Sequence, residues 1–411
     1  MPQRIETDEL AAVLPPGGLT LVSACSADSA LLADAVAQAG DALGAMTFAG
    51  IFVPGLNRRT WRAGSASRVL TFFQTPELRA EAERVTFLPL CYQDIAAQLR
   101  ARRPDAVLFM CSPPDTNGRC SFGTEVSFVA DLWREAPVRI AHVNPAMPST
   151  PGDPGIPSDE ITAVIEAEQP LLGSDASGED AAAAIIARHV ASFVPDGATL
   201  QTGLGKVPDA VLRALGDRRG LSAHTGLMGD GLLDLIDAGA IEREGAATVG
   251  VAIGSERLYR SLDHPALQFR PPSVTHAPEV LARIPDLVSI NSAVEVDLFG
   301  QAYAELQPRG LMSGPGGASD YARGARGHGL RIVALPADAA RGTVSRVVPA
   351  GQGAGPVSLG RMDVDVVVTE HGAADLRGLD HDGRAQALIA VASPDHRDLL
   401  AAHWSDYSKR L

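Results

Sequence analysis

Leu200-Gln201-Thr202-Gly203-Leu204-Gly205-Lys206-Val207-Pro208-Asp209-Ala210 is the stretch that decides the fold. The run Ala-Thr-Leu-Gln-Thr ending at Thr202 has the length of a strand. It meets a Gly-x-Gly turn and passes into a segment with Pro208 where a helix begins. Strand, tight turn and helix make the unit of an open, parallel α/β sheet. The two glycines let main chain approach a ligand closely, and the N–H groups at a helix start favour an anion. The pattern is not Gly-x-Gly-x-x-Gly, so the dinucleotide fingerprint is incomplete. A tight βα turn with no ligand also accounts for these residues.

The same rhythm extends in both directions. Strands are expected at Leu19–Ala24, near Met46, at Arg68, at Asp105 and at Val138, with a helix from Ser29, a possible N-cap, to Gly40, a stop. Further on, a helix is expected over Asp180–Phe193, strands at Thr248, Leu330 and Asp363, and a closing helix near Asp395–His403. Strand–helix alternation argues for βαβ units rather than a sandwich. At 411 residues the chain exceeds one core. Pro and Gly cluster from Asn144 to Pro157, and the acidic stretch Gly173–Asp180 follows. The expected division is therefore an N-terminal α/β domain, 1–178, and a C-terminal one, 179–411, carrying the glycine loops.

Composition narrows the function. Hydrophobic residues make up 45 %, charged residues 20 % and aromatics only 5 %, a mix that suits parallel sheets covered by helices. A net charge of −14 without a basic tract argues against nucleic acid and anionic membranes as partners. Cys25, Cys91, Cys111 and Cys120 show no metal-ligating spacing, so no metal is expected. The N-terminus lacks the apolar run of a signal peptide, no stretch reaches membrane-spanning length, and a cytoplasmic protein with reduced thiols is expected.

Three more motifs could carry chemistry. Ser313-Gly314-Pro315-Gly316-Gly317-Ala318-Ser319-Asp320 has a backbone able to wrap a polar group or donate to an oxyanion, or it is a plain surface loop. In Asn117-Gly-Arg-Cys-Ser-Phe-Gly-Thr-Glu125, Asn-Gly marks a turn, Ser121 or Thr124 can cap a following helix, and Glu125 would sit in its first turn. His224-Thr225-Gly226-Leu227-Met228-Gly229-Asp230-Gly231 reads as a structural turn between two helical segments.

Taken in order, these motifs resemble the acetyl-CoA hydrolase / acetate or 4-hydroxybutyrate CoA-transferase family. The resemblance rests on Gln201-x-Gly-x-Gly-x-x-Pro-x-Ala-Val, then His224-Thr-x-x-x-x-Asp-Gly. It continues through Asn291-Ser-Ala-Val-Glu-Val-Asp-Leu-Phe-Gly-Gln301 and Gly314-x-Gly-Gly-x-x-Asp-Tyr-x-Arg-Gly324. Gly342-Thr-Val-Ser-Arg-Val-Val-Pro349, Val368-Thr-Glu-His-Gly-Ala-Ala-Asp-Leu-Arg-Gly378 and Val143-Asn-Pro-x-Met-Pro148 agree as well.

The resemblance implies two open, mostly parallel α/β domains with the active site between them, usually in a homodimer. It implies coenzyme A or an acyl-CoA thioester as substrate, with a carboxylic acid as second partner. Main chain at Gly203, Leu204, Gly205, Lys206, Val207, Ser313, Gly314, Gly316 and Gly317 would hold CoA, and Gln201 would bind substrate. In the family a glutamate attacks the thioester and carries CoA as a glutamyl-CoA intermediate.

Here the family's His-Thr-Glu or Tyr-Thr-Glu reads His224-Thr225-Gly226. Glycine has no nucleophile, and losing one costs on the order of 10⁴–10⁶ in rate. Two smaller departures are Cys25-Ser-Ala-Asp28, where a His is usual, and Ala318 in place of Gln. The reading is an enzyme acting on a CoA thioester by hydrolysis or another acyl transfer, with Asp230, Glu125 and His224 as candidate bases. The alternatives are an ordinary transferase, with a relocated carboxylate or inactivated by the Glu-to-Gly change, and a non-catalytic binder of a CoA ligand.

Overall fold

The computed structural model describes residues 2–174, 180–307, 310–311 and 313–411. They group into two compact units, one of Met1–Asp175 with Thr248–Thr275, the other of Ala176–Ala247 with His276–Leu411. The boundary expected between 178 and 179 lies outside the described residues. Thr248–Thr275, expected in the second domain, groups with the first unit.

The first unit is built on eight parallel strands: β1 (Gln3–Arg4), β2 (Leu19–Val22), β3 (Thr47–Gly50), β4 (Arg68–Thr71), β5 (Val85–Phe87), β6 (Ala106–Cys111), β7 (Val138–Val143) and β8 (Ala163–Glu166). Their order is β1-β8-β7-β6-β2-β3-β4-β5. Every residue of β6 is buried, as a strand covered on both faces must be. Helix α1 (Ala30–Ala39) starts where Ser29 Oγ accepts the Leu32 N–H and stops at Gly40, as its residues predict. It buries Leu32 and Val36 against Phe48, Phe52 and Trp61.

Within this unit, residues 248–275 hydrogen-bond to the loops around Thr124–Val126 and Pro151. Gly250 O accepts from Val126 N–H, Ala252 N–H donates to Thr124 O, and Phe269 N–H donates to Pro151 O. Glu125 therefore lies opposite Val251 in a β-bridge, not in the first turn of a helix. The helix that follows begins at Phe128 after Ser127, and Ser121 Oγ instead accepts the Gly123 N–H.

The second unit repeats the design. Its strands include β9 (Thr199–Thr202), β10 (Ser222–Met228), β11 (Leu287–Ser292), β12 (Leu330–Ala334), β13 (Val366–Thr369) and β14 (Gly372–Asp375). β10-β9-β11-β12-β13 run parallel, and β14 returns antiparallel beside β13. Asp180 caps α2 (Ala181–Ala191) by accepting from Ala182 and Ala183. α3 (Lys206–Ala214) and α4 (Asp230–Asp237) follow β9 and β10, and α5 (Ala318–Gly324) precedes β12. Two C-terminal helices, α6 (His381–Val391) and α7 (Pro394–Tyr407), pack Leu388 and Trp404 onto Val333 and Val367. The segment read as a turn at His224–Gly231 is thus mostly strand, and only Gly229, the N-cap of α4, ends it.

Candidate functional site

β9 lies between β10 and β11, and at its end the main chain turns through Gly203 and Gly205 into α3. Gly205, the N-cap, holds φ 123° and ψ 178°, a conformation essentially restricted to glycine. A Cβ placed on Gly203 or Gly205 would meet no atom within 4 Å, so the turn presents bare main chain to open space. The first N–H groups of a nine-residue helix follow at Lys206 and Val207.

Gln201, one step back, is 4 % exposed. Its Oε1 accepts from Ser289 Oγ at 2.7 Å and Asn291 Nδ2 at 3.1 Å, both on β11, and its Nε2 donates to Asn291 Oδ1 at 3.3 Å. The amide proposed to bind substrate is therefore held inside the sheet by the first residue of the Asn291 motif.

β10 carries the next residues. Thr225 Oγ1 donates to Thr202 O at 3.0 Å, tying β10 to the Gly203 turn. On the opposite face of β10 stand His224, buried, and Gly226, half-buried. A Cβ on Gly226 would lie 2.4 Å from His276 Cε1 and 2.7 Å from His276 Nε2. A Cβ on Gly317 would lie 2.5 Å from the same Nε2. The imidazole of His276 thus fills the space between two glycines, one from each of two distant motifs. Tyr321, on α5, packs its ring on the imidazole with centroids 4.9 Å apart and planes inclined 58°. His276 is 3 % exposed, and its pKa falls to about 3, chiefly through burial and secondarily through His224.

Ser313, Gly314 and Gly316 are half-buried in the segment leading to α5, with Gly316 at φ 63° and Gly317 as the N-cap. Asp230 opens α4, half-buried. The chain of contacts from Thr202 through Thr225, Gly226 and His276 to Gly317 gathers both glycine turns into one neighbourhood of the second unit.

Glu125 belongs to the first unit. Its Oε2 accepts the Ala24 N–H at 2.8 Å and its Oε1 accepts Ser127 Oγ–H at 2.6 Å. Burial raises its pKa to about 8, outweighing both hydrogen bonds. Cys25, at the position where a His is usual, is buried at φ 44°, and Asp28 accepts from Trp61 Nε1 and Asn57 Nδ2. Among the described residues no three His, Cys, Asp or Glu side chains are grouped to hold a metal, and no helix is long and apolar enough to cross a membrane. Sequence reasoning missed His276. The run Val274-Thr-His-Ala-Pro278 carries no signal beyond that of a helix start, and the imidazole gains meaning only through the two glycines it touches.

The family model described as acetyl-CoA hydrolase/transferase C-terminal domain matches residues 254–404. A 4-hydroxybutyrate coenzyme A transferase of Clostridium kluyveri is 34 % identical over 339 residues, 80 % of this chain and 78 % of that one. Among solved structures, RipA from Yersinia pestis superposes with a TM-score of 0.88 at 28 % identity, covering 98 % of this chain and 97 % of that one. A 4-hydroxybutyrate CoA-transferase from Porphyromonas gingivalis gives 0.82 at 29 % identity, over 100 % and 98 %. With this sequence identity over most of its length, and the same two-sheet α/β architecture, the chain belongs to the acetyl-CoA hydrolase/CoA-transferase family, whose members act on CoA thioesters.

Proposed function

We propose that the chain cleaves an acyl-CoA thioester with water and forms no glutamyl-CoA intermediate. The observation that carries this reading is the filled niche at Gly226: the imidazole of His276 occupies the place where a side chain on residue 226 would begin. A carboxylate nucleophile is absent there and has no room. CoA would lie along the bare main chain at 203–207 and 313–317, whose N–H groups can also face the carbonyl oxygen as it gains charge. Asp230 and His224 stand beside Gly226 in sequence and are candidate bases or orienting groups. Glu125 is a third candidate, but its raised pKa keeps the carboxyl protonated at neutral pH, where it is no base. A homodimer and a cytoplasmic location belong to the same proposal and rest on the family resemblance.

The test is incubation of the protein with acetyl-, butyryl- or succinyl-CoA in ¹⁸O-water, with and without added acetate. Free thiol should appear without acetate, ¹⁸O should enter the acid, and intact-mass spectra should show no CoA adduct. Turnover that requires acetate and leaves a covalent CoA adduct would identify an ordinary transferase instead. Calorimetric binding of CoA with no turnover would identify a non-catalytic binder.

A further inference from the structure

We infer that the groove between α2 and α3 takes the phosphorylated nucleotide end of CoA, with Arg188, Lys206 and Arg213 facing its phosphates. The inference rests on the reading that CoA lies along the main chain at 203–207, and deepens it. Its ground is a cavity of about 580 Å³ lined by residues of these two helices and the cap of α2, all within the second unit. That volume suits a small-molecule ligand.

Sequence spacing builds the groove. Lys206, Ala210 and Arg213 follow one another by a helical turn and share a face of α3, as Ala184 and Arg188 share one of α2. Ala187 and Ala210 are buried beneath it. Their methyl groups leave open a space that larger side chains would fill, and they offer an apolar surface on which a purine ring can lie.

The rim is cationic. Arg188, Lys206 and Arg213 are exposed, and none of them makes a hydrogen bond or ion pair through its side chain among the described residues. Arg213 acts on Asp209 through space only, opposing the burial that raises that carboxyl's pKa. Among the described residues lining the groove the carboxylate is Asp180, which is engaged as the cap of α2 by the N–H groups of Ala182 and Ala183. A chain of net charge −14 has no general attraction for anions, so these three cations mark a local anion site.

The place of Lys206 identifies the anion. It directly follows Gly205, so the groove continues the glycine turn. A pantetheine arm held at that turn brings the CoA diphosphate to Lys206, and the adenosine with its 3′-phosphate to Arg188 and Arg213. Inorganic phosphate satisfies the cations alone, whereas the nucleotide satisfies the cations and the apolar floor.

The experiment is calorimetric binding of CoA and of 3′-dephospho-CoA to wild type, Arg188→Gln/Arg213→Gln, Ala184→Glu and Arg102→Gln, the last removing an exposed cation of the first unit. Each exposed ion pair contributes roughly 1.5–5-fold in affinity, so the double variant should bind CoA about 2–25-fold more weakly than wild type. It should also lose the wild-type preference for CoA over 3′-dephospho-CoA. Ala184→Glu sets a carboxylate at the groove and should weaken CoA as well, and Arg102→Gln should not. A double variant that keeps the full preference overturns the inference, as does an equal loss in Arg102→Gln. Unchanged CoA affinity in Ala184→Glu overturns it too, and covers a double variant that fails to fold. Inorganic phosphate competing with CoA as strongly as adenosine 3′,5′-bisphosphate would reduce the groove to a phosphate site and overturn the nucleotide assignment. In all these cases CoA binding by the wild type leaves the main-chain reading standing. A wild type that binds no CoA removes that reading, and the groove assignment falls with it.

Discussion

Gly226 and His276 exclude alternatives at one another's positions. Introducing Gly226→Glu places a Cβ 2.4 Å from a buried ring, so the single variant should not gain transferase activity. It should lose roughly 1–3 kcal/mol of stability, the usual cost of overpacking, visible as a lowered Tm. Adding His276→Ala should recover most of that loss, and Tm measurements on the single and double variants check both statements. Two buried titrating groups give pH signatures of opposite sign. His276 titrates near 6.5 when exposed but near 3 when folded, so below pH 6.5 the unfolded chain binds the extra proton. That contribution to stability is lost as pH falls from about 6.5 to 3, by at most about 4–5 kcal/mol, and His276→Asn should flatten this slope in thermal melts. Glu125 runs the other way. Its carboxyl shifts from 4.5 to about 8 on folding, so the folded chain holds the proton and stability falls as pH rises through that window. Glu125→Gln should match wild type near pH 5 and exceed its Tm at pH 9. At this scale the sequence disclosed Gly226 but not His276. Gly226 stands out because the motif around it leads to expect a carboxylate. His276 does not, because its meaning is a steric contact with residues far away in the chain.

Strands and helices made of strongly apolar or alanine-rich residues were legible from the sequence: Leu19–Val22, Ala106–Cys111, Leu330–Ala334 and Ala181–Ala191 all form where their patterns predict. β10 was not, since Ser222-Ala-His-Thr-Gly-Leu-Met228 mixes polar, small and apolar residues without a period. The parallel sheet supplies what the pattern lacks, through pairing of Ser222 and Ala223 with β9. β11 was obscured for a related reason. Ser289 and Asn291 look like loop residues, yet with Gln201 they form a polar layer whose partners lie across the sheet rather than along the chain. The turn joining β9 to α3 was legible as a turn, and its strain is now explicit. Gly205→Ala keeps the space free of clashes but forces a Cβ into φ 123°, so it should cost ~1–3 kcal/mol in thermal unfolding through backbone strain alone. Calorimetry on that variant should also show weaker CoA binding if the turn holds the ligand as proposed.

Two mostly parallel sheets were foreseeable from the repeated strand–helix rhythm, and the grouping of Thr248–Thr275 with the first unit was not. Sequence proximity implies that residues 248–275 stay with their neighbours. Hydrogen bonds from Val126 to Gly250 and from Phe269 to Pro151 tie that stretch to the first unit. For the whole molecule, a ligand that binds the folded chain and not the unfolded one stabilises it. CoA at a hundredfold its Kd should add about 2.7 kcal/mol and raise the Tm, and an unchanged Tm would count against CoA binding. The split unit also sets a timetable for synthesis. While the ribosome translates residues 176–247, the first unit has all eight strands of its sheet, yet the backbone at Thr124, Val126 and Pro151 still waits for partners not yet made. The first unit therefore lacks these hydrogen bonds until residues 250–269 have emerged.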